Sequence, residues 1–160
     1  MTFVTNALIV VATVIVMELV ALLTHKYLMH GPGWGWHRSH HEPHHGPFEK
    51  NDLYAVLFGI FATLLLFLSP ISGPVYWIGI GMSVYGLLYG IVHDGLVHQR
   101  WPFRHVPKNA YLKRLVQAHR LHHAVDGRDG CVSFGFLYAP PVRELKRALR
   151  DGGQARKAGS

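Results

Sequence analysis

Cysteine is nearly missing from this 160-residue chain: Cys131 stands alone. No intramolecular disulfide can form, and no cysteine pair is available to hold zinc or an iron–sulfur cluster. Charge is also scarce. Asp, Glu, Lys and Arg make up 16% of the residues, against roughly 25% in soluble domains. With 49% of the chain hydrophobic, a disordered or fibrous protein is excluded. Basic residues are absent before the first apolar run and from the turn at 70–74. Gly79-Ile-Gly81 lies in an apolar run with no soluble strand before it, so it is no dinucleotide fingerprint. No nucleic-acid recognition motif occurs either.

The apolar residues concentrate in three runs. The first, Phe3 to Thr24, contains a single charge, Glu18, and is about long enough to cross a bilayer core of about 30 Å. It has neither a basic segment before it nor a small-residue cleavage site after it, so it reads as a retained membrane helix. Leu53 to Ser69 ends at the breaker cluster Pro70, Ser72, Gly73 and Pro74, and Val75 to Val92 follows. All sixteen Lys and Arg lie between Lys26 and Lys50 or from Arg100 onward. By the positive-inside rule both segments face the cytoplasm, which three crossings with the N-terminus outside satisfy. The expected fold is an all-α integral membrane bundle. About three spanning helices are joined by a cytoplasmic surface helix, Ala110 to Ala124, within one domain over residues 1–140. Residues 141–160 form a basic tail, helical from Arg143 to Arg150 and then frayed. The net charge of +7 suits lipid headgroups as the default partner.

Histidine is abundant, at thirteen residues. Ten fall into four blocks: His25 and His30 in H-x4-H; His37, His40 and His41 in H-x2-H-H; His93 and His98 in H-x4-H again; His119, His122 and His123 in H-x2-H-H again. On a helix the three residues of an H-x2-H-H block span an arc of about 100° and can address one point. In H-x4-H the two are about 140° apart on an ideal helix, so they meet only if they flank the point or the helix ends between them. Imidazole is the commonest metal ligand, and ten from four places exceed one metal's needs, so two metals are expected. An all-nitrogen set admits iron, zinc, copper or nickel. Metal-bound histidines pass their other N–H to a carboxylate or carbonyl. Glu18, Asp52, Asp94 and Asp126 are the candidate partners; His44 and His45 could add a ligand, bond to one from behind, or simply sit in the loop. His105 reads as an ordinary solvated residue.

Further features carry less. His41-Glu42-Pro43-His44-His45 matches the zinc-protease pattern H-E-x-x-H, but Pro43 breaks the continuous helix that the pattern requires. Gly86 and Gly90 form G-x-x-x-G, a signal of close helix packing. Tyr27, Trp34, Trp36, Trp101 and Phe103 suit an interfacial belt, and Trp34 and Trp36, with Tyr89, are candidates for lining a substrate channel.

The blocks, their order and the intervening runs resemble the bacterial β-carotene hydroxylases of the fatty acid hydroxylase and sterol desaturase superfamily. The resemblance covers Glu18 to Pro140 and includes HKYLMHGPGWGW at His25–Trp36, FEKNDLY at Phe48–Tyr54 and GIVHDGLVHQRWPF at Gly90–Phe103. It implies a non-haem diiron enzyme of the bacterial inner membrane, with the ten block histidines as ligands to two Fe. O2 would be used to hydroxylate C3 of a β-ionone ring, taking β-carotene through β-cryptoxanthin to zeaxanthin. Such chemistry is beyond a side-chain acid or base. It also needs two external electrons, hence a reductase or ferredoxin-type donor, since the chain has no flavin or nicotinamide fold. A carotenoid ketolase or fatty acyl hydroxylase or desaturase shares the same boxes. A metal transporter would instead spread charged and His residues through the membrane runs.

Overall fold

The computed structural model describes residues 1–158 except 44, 45, 47, 103 and 126, with side chains given up to residue 152. The readings placed on His44, His45, Phe103 and Asp126 lie outside the described residues. All regular structure among those residues is helical: α1 Phe3–Leu23, α2 Trp34–His41, α3 Asp52–Leu68, α4 Pro74–Tyr89, α5 Ala110–His122 and α6 Val142–Ala158. Local chemistry sets several of these limits. Thr2 caps α1, its hydroxyl accepting from the Thr5 amide at 3.2 Å, and Asn109 caps α5 through the Leu112 amide at 2.8 Å. Pro74 opens α4, where its missing N–H costs nothing. Glu42, which precedes Pro43, is extended (φ −103°, ψ 152°), so α2 stops at His41 and the protease pattern has no helix to sit on.

Two helical stretches are long and apolar enough to cross a membrane, Phe3–Met29 and Pro74–Val97, and Asp52–Leu68 is a shorter apolar helix. Over an apolar 18-residue window of each, only 11% and 28% is buried within the protein, unlike the mostly buried core helices of a soluble domain. Phe3, Leu8, Ile15, Phe67 and Leu68 all point outward, Phe67 at 85% exposure. A surface this apolar belongs in a bilayer.

α4 packs between α1 and α3 around Met17, Ala21, Ala62, Met82, Tyr85 and Phe136. The glycines that permit close approach are Gly79 and Gly81, not the G-x-x-x-G pair. A Cβ at Gly81 would lie 2.5 Å from the Thr13 Cβ of α1, whereas one at Gly86 or Gly90 would meet nothing within 4 Å. A second core, Val92, Leu115, Ala118, Ala139 and Leu145, ties α5 and α6 to the end of α4. The C-terminal segment is thus anchored by Leu145 at its first turn, and its helix runs past Arg150 to Ala158.

Candidate metal centre

α1 and α4 each end in a π-helical turn, Thr24–Met29 and Gly90–Val97, and the two H-x4-H blocks occupy these turns. The His30 amide bonds the His25 carbonyl at 3.0 Å, and the His98 amide the His93 carbonyl at 2.9 Å. An i→i+5 bond widens the turn so that residues five apart stack on one face, which an α-helix would splay. The ring centroids come to 5.2 Å for His25–His30 and 4.5 Å for His93–His98. The H-x2-H-H blocks behave differently from the expectation of one shared point. Each straddles two points, sending His37 and His122 to one and His40 and His119 to the other.

Two groups result. His25, His30, His37 and His122 form the first, and His40, His93, His98 and His119 the second; within each, the ligand atoms all lie within 4.8 Å of one another. His41 and His123 lie between them with ring centroids 4.4 Å apart. His41 Nε2 is 3.3 Å from that of His37, and His123 Nε2 is 2.9 Å from that of His119. Cys131 Sγ also lies within 4.8 Å of the ligand atoms of His41 and His122, a proximity that its sequence position did not signal.

The outer ring nitrogens explain why these contacts are not ordinary hydrogen bonds. In the first group Nδ1 donates from His25 to the Phe134 carbonyl (2.9 Å), from His30 to the Arg128 carbonyl (2.7 Å), from His37 to Asn51 Oδ1 (2.7 Å) and from His122 to the Val132 carbonyl (3.0 Å). In the second, His40 donates to Glu49 (2.7 Å) and His93 to Asp94 (2.8 Å). A neutral imidazole has one N–H, so Nε2 of all six is an unprotonated lone pair. Yet Nε2 faces Nε2 at 3.1 Å in His25–His37, His30–His122 and His40–His93, and at 3.2 Å in His30–His37. Lone pairs at that separation repel unless a cation lies among them. Nitrogens held about 2.1 Å from a common ion are themselves about 3.0–3.4 Å apart for octahedral to tetrahedral angles, so the donor set fits one metal per group.

Protonation offers no alternative. Burial lowers the proton affinity of His40, His119 and His122 well below the usual histidine value, and that of His37 and His41 to about 3. Burial likewise takes His98 to about 2 and His123 to about 4, with the neighbouring imidazoles adding to the effect. At neutral pH the cluster presents neutral ligands.

The family model for fatty acid hydroxylases matches residues 10–139. The chain belongs to the fatty acid hydroxylase family. It is 62% identical over 157 residues to the beta-carotene hydroxylase of Pantoea ananas, covering 98% of this chain and 90% of that one. The beta-carotene hydroxylase of Paracoccus sp. (strain N81106 / MBIC 01143) is also 62% identical, covering 95% of each chain. The chloroplastic beta-carotene 3-hydroxylase of Haematococcus lacustris is 41% identical over 140 residues, 83% of this chain but 43% of the longer relative. No solved structure matches.

In this member of the fatty acid hydroxylase family, several of the groups behind the histidines are ones the sequence did not suggest. Asp94 lies behind His93, accepting from its Nδ1 at 2.8 Å. Asp52 hydrogen-bonds no described histidine; it ion-pairs with Arg100 at 2.7 Å and accepts from the Glu49 amide at 3.0 Å. Glu18 hydrogen-bonds no described histidine either. Its Oε1 accepts three successive amides, Phe136, Leu137 and Tyr138, at 2.9–3.0 Å, and its Oε2 accepts from Tyr85 at 2.8 Å. Glu18 therefore pins the loop that supplies the Phe134 carbonyl to His25 and stacks Phe136 on its ring, centroids 5.3 Å apart. Gly135 lets the loop close, since a Cβ there would lie 2.8 Å from Glu18 Oε1. Glu49, Asn51 and the carbonyls of Arg128, Val132 and Phe134 are the partners that sequence reading missed. FEKNDLY hinted at the first two by resemblance alone, and backbone carbonyls leave no residue-type signal at all.

A cavity of about 400 Å³ opens between α1, α3 and α4. Its wall includes Ala21, one turn before His25, and Tyr89, one turn before His93, with Phe58, Ala62, Met82 and Gly86 farther out. Tyr89 stacks on His93 with centroids 4.5 Å apart. Trp34 instead packs on His30 and His41, and Trp36 on Tyr54. Neither tryptophan lines this cavity.

Proposed function

We propose that this chain is a β-carotene ring hydroxylase, an O2-dependent monooxygenase that hydroxylates C3 of the β-ionone ring and carries β-carotene through β-cryptoxanthin to zeaxanthin. One observation carries the reading: buried imidazoles converge through unprotonated Nε2 atoms in a chain so similar to beta-carotene hydroxylases. Two iron ions are assigned to the two groups. His25, His30, His37 and His122 hold one, and His40, His93, His98 and His119 the other, with His41 and His123 as ligands between them. Iron held there supplies the activation of O2 and the attack on an aliphatic C–H bond that no side chain provides.

The protein's own groups do the rest. Nδ1 hydrogen bonds fix the tautomer and direction of six of the rings, His25, His30, His37, His40, His93 and His122. Phe134, Phe136, Trp34 and Tyr89 wall the imidazoles from water. The cavity takes one ring end of the substrate, with Tyr89 as its floor beside His93, while the polyene trails into the bilayer. Three crossings, with α3 as the third, put the N-terminus outside the bacterial inner membrane and the histidines and basic C-terminal third inside. That basic surface, Arg100 to Arg120, suits an acidic ferredoxin-type donor as well as anionic lipid.

Expression in a bacterium that makes β-carotene tests the reading. β-Cryptoxanthin and zeaxanthin are expected with the wild type and absent with His122→Ala at equal expression. Unchanged pigment from metal-loaded wild-type protein would transfer the activity to another membrane lipid.

A further inference from the structure

The two histidine groups do not share one electrostatic environment. Every Nδ1 partner in the first group is neutral: three backbone carbonyls and the Asn51 amide. In the second, two of the four histidines donate to carboxylates, His40 to Glu49 and His93 to Asp94, at 2.7 and 2.8 Å. Glu49 is almost fully buried, at 7% side-chain exposure, so water does little to screen it. Arg100 links both carboxylates to Asp52: 3.4 Å to Glu49, 3.6 Å to Asp94 and 2.7 Å to Asp52. One guanidinium shared by three carboxylates restrains their positions and leaves the network net negative.

A carboxylate that accepts an imidazole N–H draws the proton toward itself and makes the opposite nitrogen a stronger donor to a metal. Its negative charge adds direct attraction for a divalent cation. A carbonyl orients the ring with far less of either effect.

We propose that the two metal positions are unequal: the one ringed by His40, His93, His98 and His119 takes its divalent ion first, about 10- to 100-fold more tightly than the one ringed by His25, His30, His37 and His122. Glu49 and Asp94 are the positioning residues that set the order. The inference rests on the metal-binding reading above and adds a loading sequence to it.

The test is a titration of metal-free, full-length protein in detergent with Co2+, followed by visible absorption and by bound metal per chain. Two ions entering in two resolved steps are expected. Asp94→Asn and Glu49→Gln keep the side-chain shape and should weaken the first step about 10- to 100-fold, leaving the second in place. Asn51→Ala should weaken only the second. His93→Ala should abolish the first step and His25→Ala the second, which assigns each step to its group. Two equal sites, or a first step that responds to Asn51→Ala and not to Asp94→Asn, would overturn the inequality while leaving the dimetal reading intact. Fewer than two ions bound by folded wild type would instead overturn that reading.

Discussion

A histidine that donates through Nδ1 in a buried site has its Nε2 committed as a lone pair, and this single constraint accounts for most of the centre's behaviour. The folded cluster resists protonation because burial removes water from the charged form, while the same residues in the unfolded chain titrate near 6.5. The unfolded state therefore binds more protons below pH 6.5, and stability is lost as pH falls. For the metal-free protein the melting temperature should be flat above about pH 7.5 and fall steeply from pH 6.5 to 5, as the unfolding free energy drops by about 1.4 kcal/mol per pH unit for each histidine held neutral. His37, whose folded value is about 3, contributes across that whole window. A melting temperature independent of pH would mean that the folded rings bind protons as they do in the unfolded chain, and so are solvated. Glu18 offers a second residue-level test. Glu18→Ala strands three backbone amides and the Tyr85 hydroxyl, and should cost about 3 kcal/mol or more in detergent denaturation. It should also loosen metal binding through the Phe134 loop, although Glu18 hydrogen-bonds no described histidine.

At the scale of elements, the π turns and the glycines decide how the helices present these side chains. The five-residue spacing of H-x4-H is visible in the sequence, but a pattern of residues carries no direct sign of an i→i+5 backbone. The convergence of His25 with His30, and of His93 with His98, accompanies it. Glycines divide the same way. Gly81 sits where α4 crosses α1, so Gly81→Val would drive a side chain into Thr13 and Val10 and should destabilise by about 1–3 kcal/mol or more. Gly86 faces open space at the cavity wall. Gly86→Leu should fold and keep its metal, yet lower hydroxylation about 10- to 100-fold by misplacing the ring. Pigment analysis beside metal content separates the two. Loss of metal in Gly86→Leu would place that glycine in the fold instead of the cavity.

For the whole molecule, the proposed orientation predicts that a reporter fused at Ser160 is active on the cytoplasmic side and one fused at Met1 on the outside; the reverse would undo the topology. Three apolar runs, sixteen cations clear of the first two runs and of the turn at 70–74, and four histidine blocks were legible in the sequence. They determined an all-helical membrane bundle and a polyhistidine centre, because burial of backbone in lipid permits little else and ten imidazoles have few other uses. Which histidine joins which group was not legible, because each H-x2-H-H helix lies between two points and its rise, not its arc, sends one ring to each. Nor were the acceptors behind the rings, since a carbonyl such as Phe134 belongs to every residue alike and is selected only by where a loop is pinned, here by Glu18 from 118 residues away. The sequence by itself determined the kind of ligand and the medium; the tertiary structure decided the pairing, because convergence is a property of distances that side-chain chemistry does not encode.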